Sequence, residues 1–445
     1  MTAPARTLTR RELLVLAWPV ILANAAVPLL GLADTAVIGN FGSLEDLGAI
    51  AFGAVIFSFV YWTFGFLRMS TTGFVAQAAG ARDEPEVRAT LWRALLLGAA
   101  LGVGLLMLQW PIGQTALWLL DGSPDVEAVT ANYFRIRIWG APAALALFAL
   151  MGALIGLRRT RLLLFAQVFL NGLNIILDVY FAGVLGWGAE GVALGTALAE
   201  WITLVVVGVI VLRLLRARHA DDEPLFPMAR IMDRVRLRGL LSANVDIMLR
   251  TLLLVFSFAW FVRQSAGFGD DILAANHILL QFISFAAFFL DGYAFVVEAL
   301  VGEAVGARDQ SAFDIAVRRS TELAGATSVL LALGIAFLGE VTIAALTVHE
   351  PVRMAAADML PWAALYVLLS FAAFQLDGIF IGATRTRAMR NASAFSVLVF
   401  LPLAWWLMAL MGSHGLWLAF IVYVCARALG LGFYYPALRR STEMR

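Results

Sequence analysis

Long apolar stretches alternate along this chain with short polar connections, and each stretch is about as long as a bilayer is thick. A helix crossing a hydrocarbon core of ~30 Å needs about 20 residues. On that measure the pattern predicts twelve helices, over 13–38, 47–76, 90–110, 130–156, 162–184, 190–214, 240–263, 273–303, 318–340, 356–382, 391–411 and 415–437. The longest non-apolar stretch, Arg216 to Arg238, follows the sixth. It holds Asp221-Asp222-Glu223-Pro224 and Pro227, then a basic segment of amphipathic character. The expected organisation is a six-helix bundle over 1–215, a cytoplasmic linker over 216–238 and a second six-helix bundle over 239–445.

The two bundles share a sequence signature. Gly80-Ala81-Arg82-Asp83 returns as Gly306-Ala307-Arg308-Asp309, and Ile155-Gly156 with Arg159-Thr160-Arg161 returns as Ile381-Gly382 with Arg385-Thr386-Arg387. Both repeats have one spacing, 306 − 80 = 381 − 155 = 226, which implies a duplicated unit. An even number of spans inserts both units the same way up, so the bundles should be related by a pseudo-two-fold axis along the membrane normal. The fold class expected is an all-α integral membrane protein of twelve transmembrane helices.

Arginine placement orients them. Arg6, Arg10 and Arg11 precede the first span, and later even-numbered connections carry Arg82 and Arg88, Arg158, Arg159 and Arg161, the linker arginines, Arg308, Arg318 and Arg319, and Arg385, Arg387 and Arg390. The opposite connections are nearly free of Arg, with Arg263 and Arg353 close by, and carry Asp121, Asp125, Glu127, Asp270 and Asp271 instead. Basic residues accumulate on the cytoplasmic side, so both termini are expected in the cytoplasm and the protein in the inner membrane. The first apolar run lacks a small-residue cleavage site and reads as a retained span.

Composition narrows the class. Of 445 residues 62% are hydrophobic and 14% charged, where a soluble domain carries roughly 25% charge. All 32 basic residues are Arg. The single cysteine, Cys425, excludes an intrachain disulfide. A net charge of +1 signals no nucleic-acid partner, no phosphate-cradling loop suggests direct use of ATP, and no His, Cys and carboxylate spacing suggests a metal. His277 and Cys425 read as packed neutral side chains. No cofactor is expected; the bilayer and small organic compounds are the expected partners of a monomeric chain.

Carboxylates within a span are costly and mark function unless otherwise explained. In the fifth span Gln167, Asn171, Asn174 and Asp178 follow at +4, +3 and +4, one helical face on an otherwise oily helix. Such a stripe faces a cavity or bonds to neighbouring helices. Asp34 lies late in the first span, after Pro19, Asn24 and Pro28; prolines there free backbone groups and allow bending. The first and fifth spans run the same way, so Asp34 and Asp178 can share one cavity, with Asp34 at the outer interface as the alternative. Two close carboxylates in a poorly hydrated site resist double ionisation, which makes them a proton-carrying device. Shifted by 226 these positions become Trp260 and Ala404, so the second unit lacks this site. It has Asp246, Arg250, Asp291, Glu298, Gln375 and Asp377 instead. Asp246 and Arg250, four apart, fit an intrahelical ion pair, while Asp291 and Asp377 fit coupling to that arginine or to a cation. Arg68 and Glu200 have no assigned role.

Pro19, Pro28 and Asp34-Thr35, Asn171-Gly172 with Asn174-Ile175-Ile176-Leu177-Asp178, and Leu290-Asp291-Gly292 with Leu376-Asp377-Gly378 resemble the MATE (multidrug and toxic compound extrusion) transporters, in particular their DinF-like branch. The resemblance spans nearly the whole chain. It implies a pair of six-helix bundles exporting cationic or amphipathic compounds in exchange for H⁺ or Na⁺, with Asp34 as the main protonation site, Asp178 and Asn174 as its partners, and Thr196 as the matching sixth-span threonine. Asp377 matches a member of the acidic cluster that binds cation in other branches; Asp246 stands where that cluster has a glutamate, which weighs against Na⁺. The expected function is a proton-coupled multidrug antiporter. A lipid-linked precursor flippase of the same superfamily is the first alternative, and a membrane enzyme acting on lipids the second; the scarcity of His speaks against the enzyme.

Overall fold

The computed structural model of the chain describes residues 8–120, 122–218 and 224–442, leaving aside the side chain of Leu29. Asp121 and the linker residues Asp221, Asp222 and Glu223 lie outside the described residues. The helices are α1 (Arg10–Phe41), α2 (Leu44–Thr63), α3 (Phe66–Gly80), α4 (Glu84–Met107), α5 (Gln109–Leu120), α6 (Pro124–Arg137), α7 (Ala141–Gly156), α8 (Thr160–Asp178), α9 (Gly188–Ala217), α10 (Met228–Ile231), α11 (Arg234–Ala266), α12 (Asp270–Ala307), α13 (Gln310–Leu346), α14 (Glu350–Gly382), α15 (Thr386–Met411) and α16 (Ser413–Ser441). Among the described residues there is no strand.

Among the described residues twelve segments are long and apolar enough to cross a membrane, and each overlaps one expected span. Three combine elements: α2 with α3, α6 with α7, and α8 with a π-helical turn over Val179–Val184. The spans extend beyond their apolar cores because polar caps close their ends. At α2 Ser43 and Asp46 form a reciprocal capping box, and Asp46 also accepts from the amide of Ala189 at 2.9 Å, fixing the start of α9. The fourth span starts at Pro124, not near 130.

The duplication is written in the backbone as well as the sequence. Among the described residues four non-glycines have positive φ, namely Arg82 (57°), Arg158 (56°), Arg308 (55°) and Thr384 (53°). They form two pairs at the same spacing, 308 − 82 = 384 − 158 = 226. The residue after each of the first pair caps the next helix: Asp83 accepts from the amide of Glu86 at 3.2 Å, and Asp309 from that of Ala312 at 2.9 Å. A left-handed residue followed by an Asp cap turns the chain sharply between two spans.

By packing, the chain divides into a unit of Leu22–Leu240 and a unit joining the residues up to Ile21 with Leu241–Arg445. The first unit's core includes Val75, Leu91, Leu147, Leu154 and Val207. In the second, Phe261 on α11, Tyr366 on α14, Phe400 on α15, and Trp417, Phe420 and Tyr423 on α16 form one aromatic cluster. The divisions at 215 and 239 shift accordingly. The linker belongs to the first unit because the acidic start of α4 captures it: Arg230 pairs with Asp83 at 2.8 Å, Arg218 with Glu84, and Phe226 stacks on Trp92 at 4.4 Å. The early turns of α1 belong to the second unit, where Arg10 meets Glu322 at 2.8 Å. The basic segment after the linker is not one amphipathic helix; it is the single turn α10 and then the start of α11, capped by Asp233.

Candidate functional site

The first unit gathers its chemistry around the end of α8. The fifth-span stripe folds as one face: Asn171, Asn174 and Asp178 are buried, and Gln167 is partly so. Gln167 Nε2 donates to Asn171 Oδ1 at 3.3 Å, and Asn171 Nδ2 donates to the carbonyl of Ala26 at 3.1 Å. That bond ties α8 to α1 two residues before Pro28. Proline has no N–H, so Pro28 also frees the carbonyl of Asn24, itself half-buried on α1. The stripe's amides thus bond neighbouring helices, and its carboxyl meets another carboxyl.

Asp34 and Asp178 lie within hydrogen-bonding reach of each other. Asn174 is close enough to act on Asp178, but its amide N–H is directed to Thr196 Oγ1 at 3.0 Å, and Thr196 in turn donates to the carbonyl of Val192 at 2.8 Å. Neither oxygen of Asp178, nor Oδ1 of Asp34, has a donor among the described residues. Two carboxylates can only accept; a proton held between them turns one into a donor and satisfies both. Asp34 is thus placed against Asp178.

Two local features build this geometry. Asp178 is the last α-helical residue before the π turn, whose wider winding is closed by the Leu185 amide on the carbonyl of Tyr180 at 3.0 Å. Such turns recur at functional positions in helices. Opposite it, Gly195 lets α9 approach so closely that a methyl there would overlap Asp178 Oδ1.

Sequence reasoning missed the group beneath. Arg137 on α6 and Glu200 on α9 form a buried bidentate pair, NH2 to Oε1 at 2.7 Å and NH1 to Oε2 at 2.9 Å. NH1 also donates to the Tyr61 hydroxyl at 3.2 Å, and the guanidinium lies 4.9 Å from the Phe57 ring centre. Its charge is felt at Asp34 and Asp178. The available signal was two opposite charges, one in the expected fourth span and one in the sixth.

In the second unit Asp246 and Arg250 do not pair with each other. Asp246 pairs with Arg390 at 2.7 Å and accepts from Thr386 at 3.1 Å, whereas Arg250 pairs directly with Asp377. Arg427 adds a second contact to Asp377 at 3.5 Å. Each acid prefers an arginine on another helix, which reaches it without bending along its own helix surface. Gln375 accepts from Ser320 at 2.8 Å. Asp291 and Glu298 lie on α12, the latter buried, and both are engaged by neighbours. These residues form separate ion pairs and bonds, with no group among the described residues arranged to hold a metal.

A family model described as MatE matches residues 19–180 and 247–406. The chain belongs to the MatE family. The two matched stretches end 406 − 180 = 226 residues apart, the spacing of the duplication. Of its relatives, DNA damage-inducible protein F of Escherichia coli is 39% identical over 94% of this chain and 90% of its own length. A probable multidrug resistance protein NorM of Pasteurella multocida is 26% identical over 93% of this chain and 90% of its own. The fold matches the Vibrio cholerae MATE transporter VcmN in its bent form, with a TM-score of 0.86 over 97% of both chains at 19% identity. MatE proteins are transporters and not enzymes, and this multi-pass membrane member carries its pair of facing carboxyl groups in the first unit.

Proposed function

We propose that this MatE protein is a proton-coupled antiporter of the inner membrane, both termini cytoplasmic, that exports cationic or amphipathic organic compounds. The observation that carries the reading is the carboxyl pair: buried Asp178 lies within bonding reach of half-buried Asp34, and neither oxygen of Asp178 nor Oδ1 of Asp34 has another donor among the described residues. One proton satisfies the pair. Its loss leaves two charges facing each other, which favours separation of α1 from α8, and α1 is weakened near the pair by Pro19 and Pro28. Protonation from outside closes the pair and reshapes the unit's interior, and release inside resets it. Asn174, Thr196, Asn171, Gln167 and Asn24 line the polar side of that interior for substrate.

Exchange of H⁺ is favoured over Na⁺ because two acids of the second unit are already met by arginines: Asp246 by Arg390, and Asp377 by Arg250 and Arg427. A neutralised carboxylate offers little to a sodium ion. The resident names of relatives, among them multidrug resistance proteins, support a broad organic substrate. Dye efflux from cells across external pH tests the proposal. Asp34→Asn is expected to abolish efflux while the protein still reaches the membrane; efflux by that variant equal to wild type at every pH would overturn it.

A further inference from the structure

A groove of about 730 Å³ runs between α6 and α9 in the first unit. Asn132 bonds Glu190 near one end, and Trp201 donates to the carbonyl of Trp139 at 2.9 Å near the other, so the helices run parallel and the groove follows them. Its first end is charged. Asn132 Nδ2 donates to Glu190 Oε1 at 2.9 Å, and Arg135 donates to Asn132 Oδ1. The asparagine therefore stands between opposite charges that would otherwise neutralise each other. Among the described residues neither charge has a further partner, so Arg135 keeps most of its five N–H donors and Glu190 a whole oxygen. Both side chains are exposed.

Along α9 from Glu190 to Trp201 the groove extends eleven residues, about 16 Å. Its walls turn apolar, through Ile136, Leu194 and Leu198, and end at the exposed Trp139 and Trp201. The Trp201 N–H is already used, so these rings present hydrocarbon faces. A positive and a negative group spaced by one amide, above an apolar channel in a membrane-spanning helix pair, is the complement of a zwitterionic phospholipid. The guanidinium suits the phosphate. The free carboxylate suits an ammonium that can donate hydrogen bonds, which a quaternary ammonium cannot, and a glycerol headgroup brings no cation at all. We propose that the groove binds one phospholipid with a phosphoethanolamine headgroup, its phosphate on Arg135, its ammonium on Glu190 and its acyl chains along Leu198 and the tryptophans. The site is separate from the carboxyl pair and does not depend on which ion drives transport.

The test is native mass spectrometry of the full-length protein in detergent, titrated separately with phosphatidylethanolamine, phosphatidylcholine and phosphatidylglycerol of matched chains. One tightly held phosphatidylethanolamine is expected. Its retention should fall about tenfold in Arg135→Gln and in Glu190→Gln, the loss of one charge-assisted bond. Leu198→Trp should expel it by filling the channel while leaving the charged end intact, and thermal unfolding of each variant verifies the fold. Equal retention of all three lipids, preference for phosphatidylglycerol, or wild-type retention by the three folded variants would each overturn the proposal.

Discussion

At the residue scale the buried Arg137–Glu200 pair and the carboxyl pair above it obey different rules. Arg137 and Glu200 satisfy each other, so removing one partner strands the other. Arg137→Ala is expected to cost about 3–5 kcal/mol of stability, and the double replacement Arg137→Met with Glu200→Leu less than either single change, as an uncompensated buried charge predicts. Thermal unfolding in detergent checks the cycle. Neither oxygen of Asp178 nor Oδ1 of Asp34 has a donor among the described residues, so a shared proton is what would satisfy them. Their register was readable, since +4, +3 and +4 spacing on an oily helix exposes a polar face wherever the helix packs. The pairing of Arg137 with Glu200 was not readable, because the partners lie 63 positions apart and only tertiary packing brings them together. For the same reason Asp246 and Arg250, adjacent on one helix face, found partners elsewhere.

At the scale of elements the site depends on close approach and on a changed winding. Gly195 admits α9 against Asp178, so Gly195→Ala should displace the carboxylate and abolish pH-driven transport in an expressed, folded protein. Transport assays alongside size-exclusion profiles decide whether the loss is local. Asp233 shows how elements are started outside the membrane. Backbone N–H groups of Arg236 and Val235 hold its carboxyl below the usual carboxylate range. A lowered value in the folded state means that its contribution is present above the unfolded value and disappears as pH falls through the folded one. Protection of the Val235 and Arg236 amides, relative to the intrinsic exchange rate at each pH, should fall in Asp233→Ala at neutral pH, and in wild type only on acidification. Spans were legible in the hydropathy because length and apolarity are set by the bilayer. Their ends were less so: caps such as Ser43 with Asp46, and the π turn after Asp178, leave little trace in hydropathy.

At the scale of the whole molecule one scaffold occurs twice and carries two kinds of interior. The left-handed residues at 82, 158, 308 and 384 preserve the duplicated turns, while the buried charges have diverged. The first unit holds a carboxyl pair with no arginine bonded to it; in the second, Asp246 and Asp377 are matched to arginines on other helices. The duplication was legible because turn geometry constrains sequence locally, whereas the division of labour needed the pairings. Asp246→Asn is accordingly expected to lower thermal stability, by leaving Arg390 without its acid, while H⁺-driven transport persists. The account rests on H⁺ exchange at the first unit's pair. Proteoliposomes given a pH gradient or a Na⁺ gradient separately, with wild type and Asp34→Asn compared, test it most directly. The account predicts substrate movement driven by the pH gradient alone and lost in the variant; movement driven by Na⁺ alone, or undiminished in the variant, would contradict it.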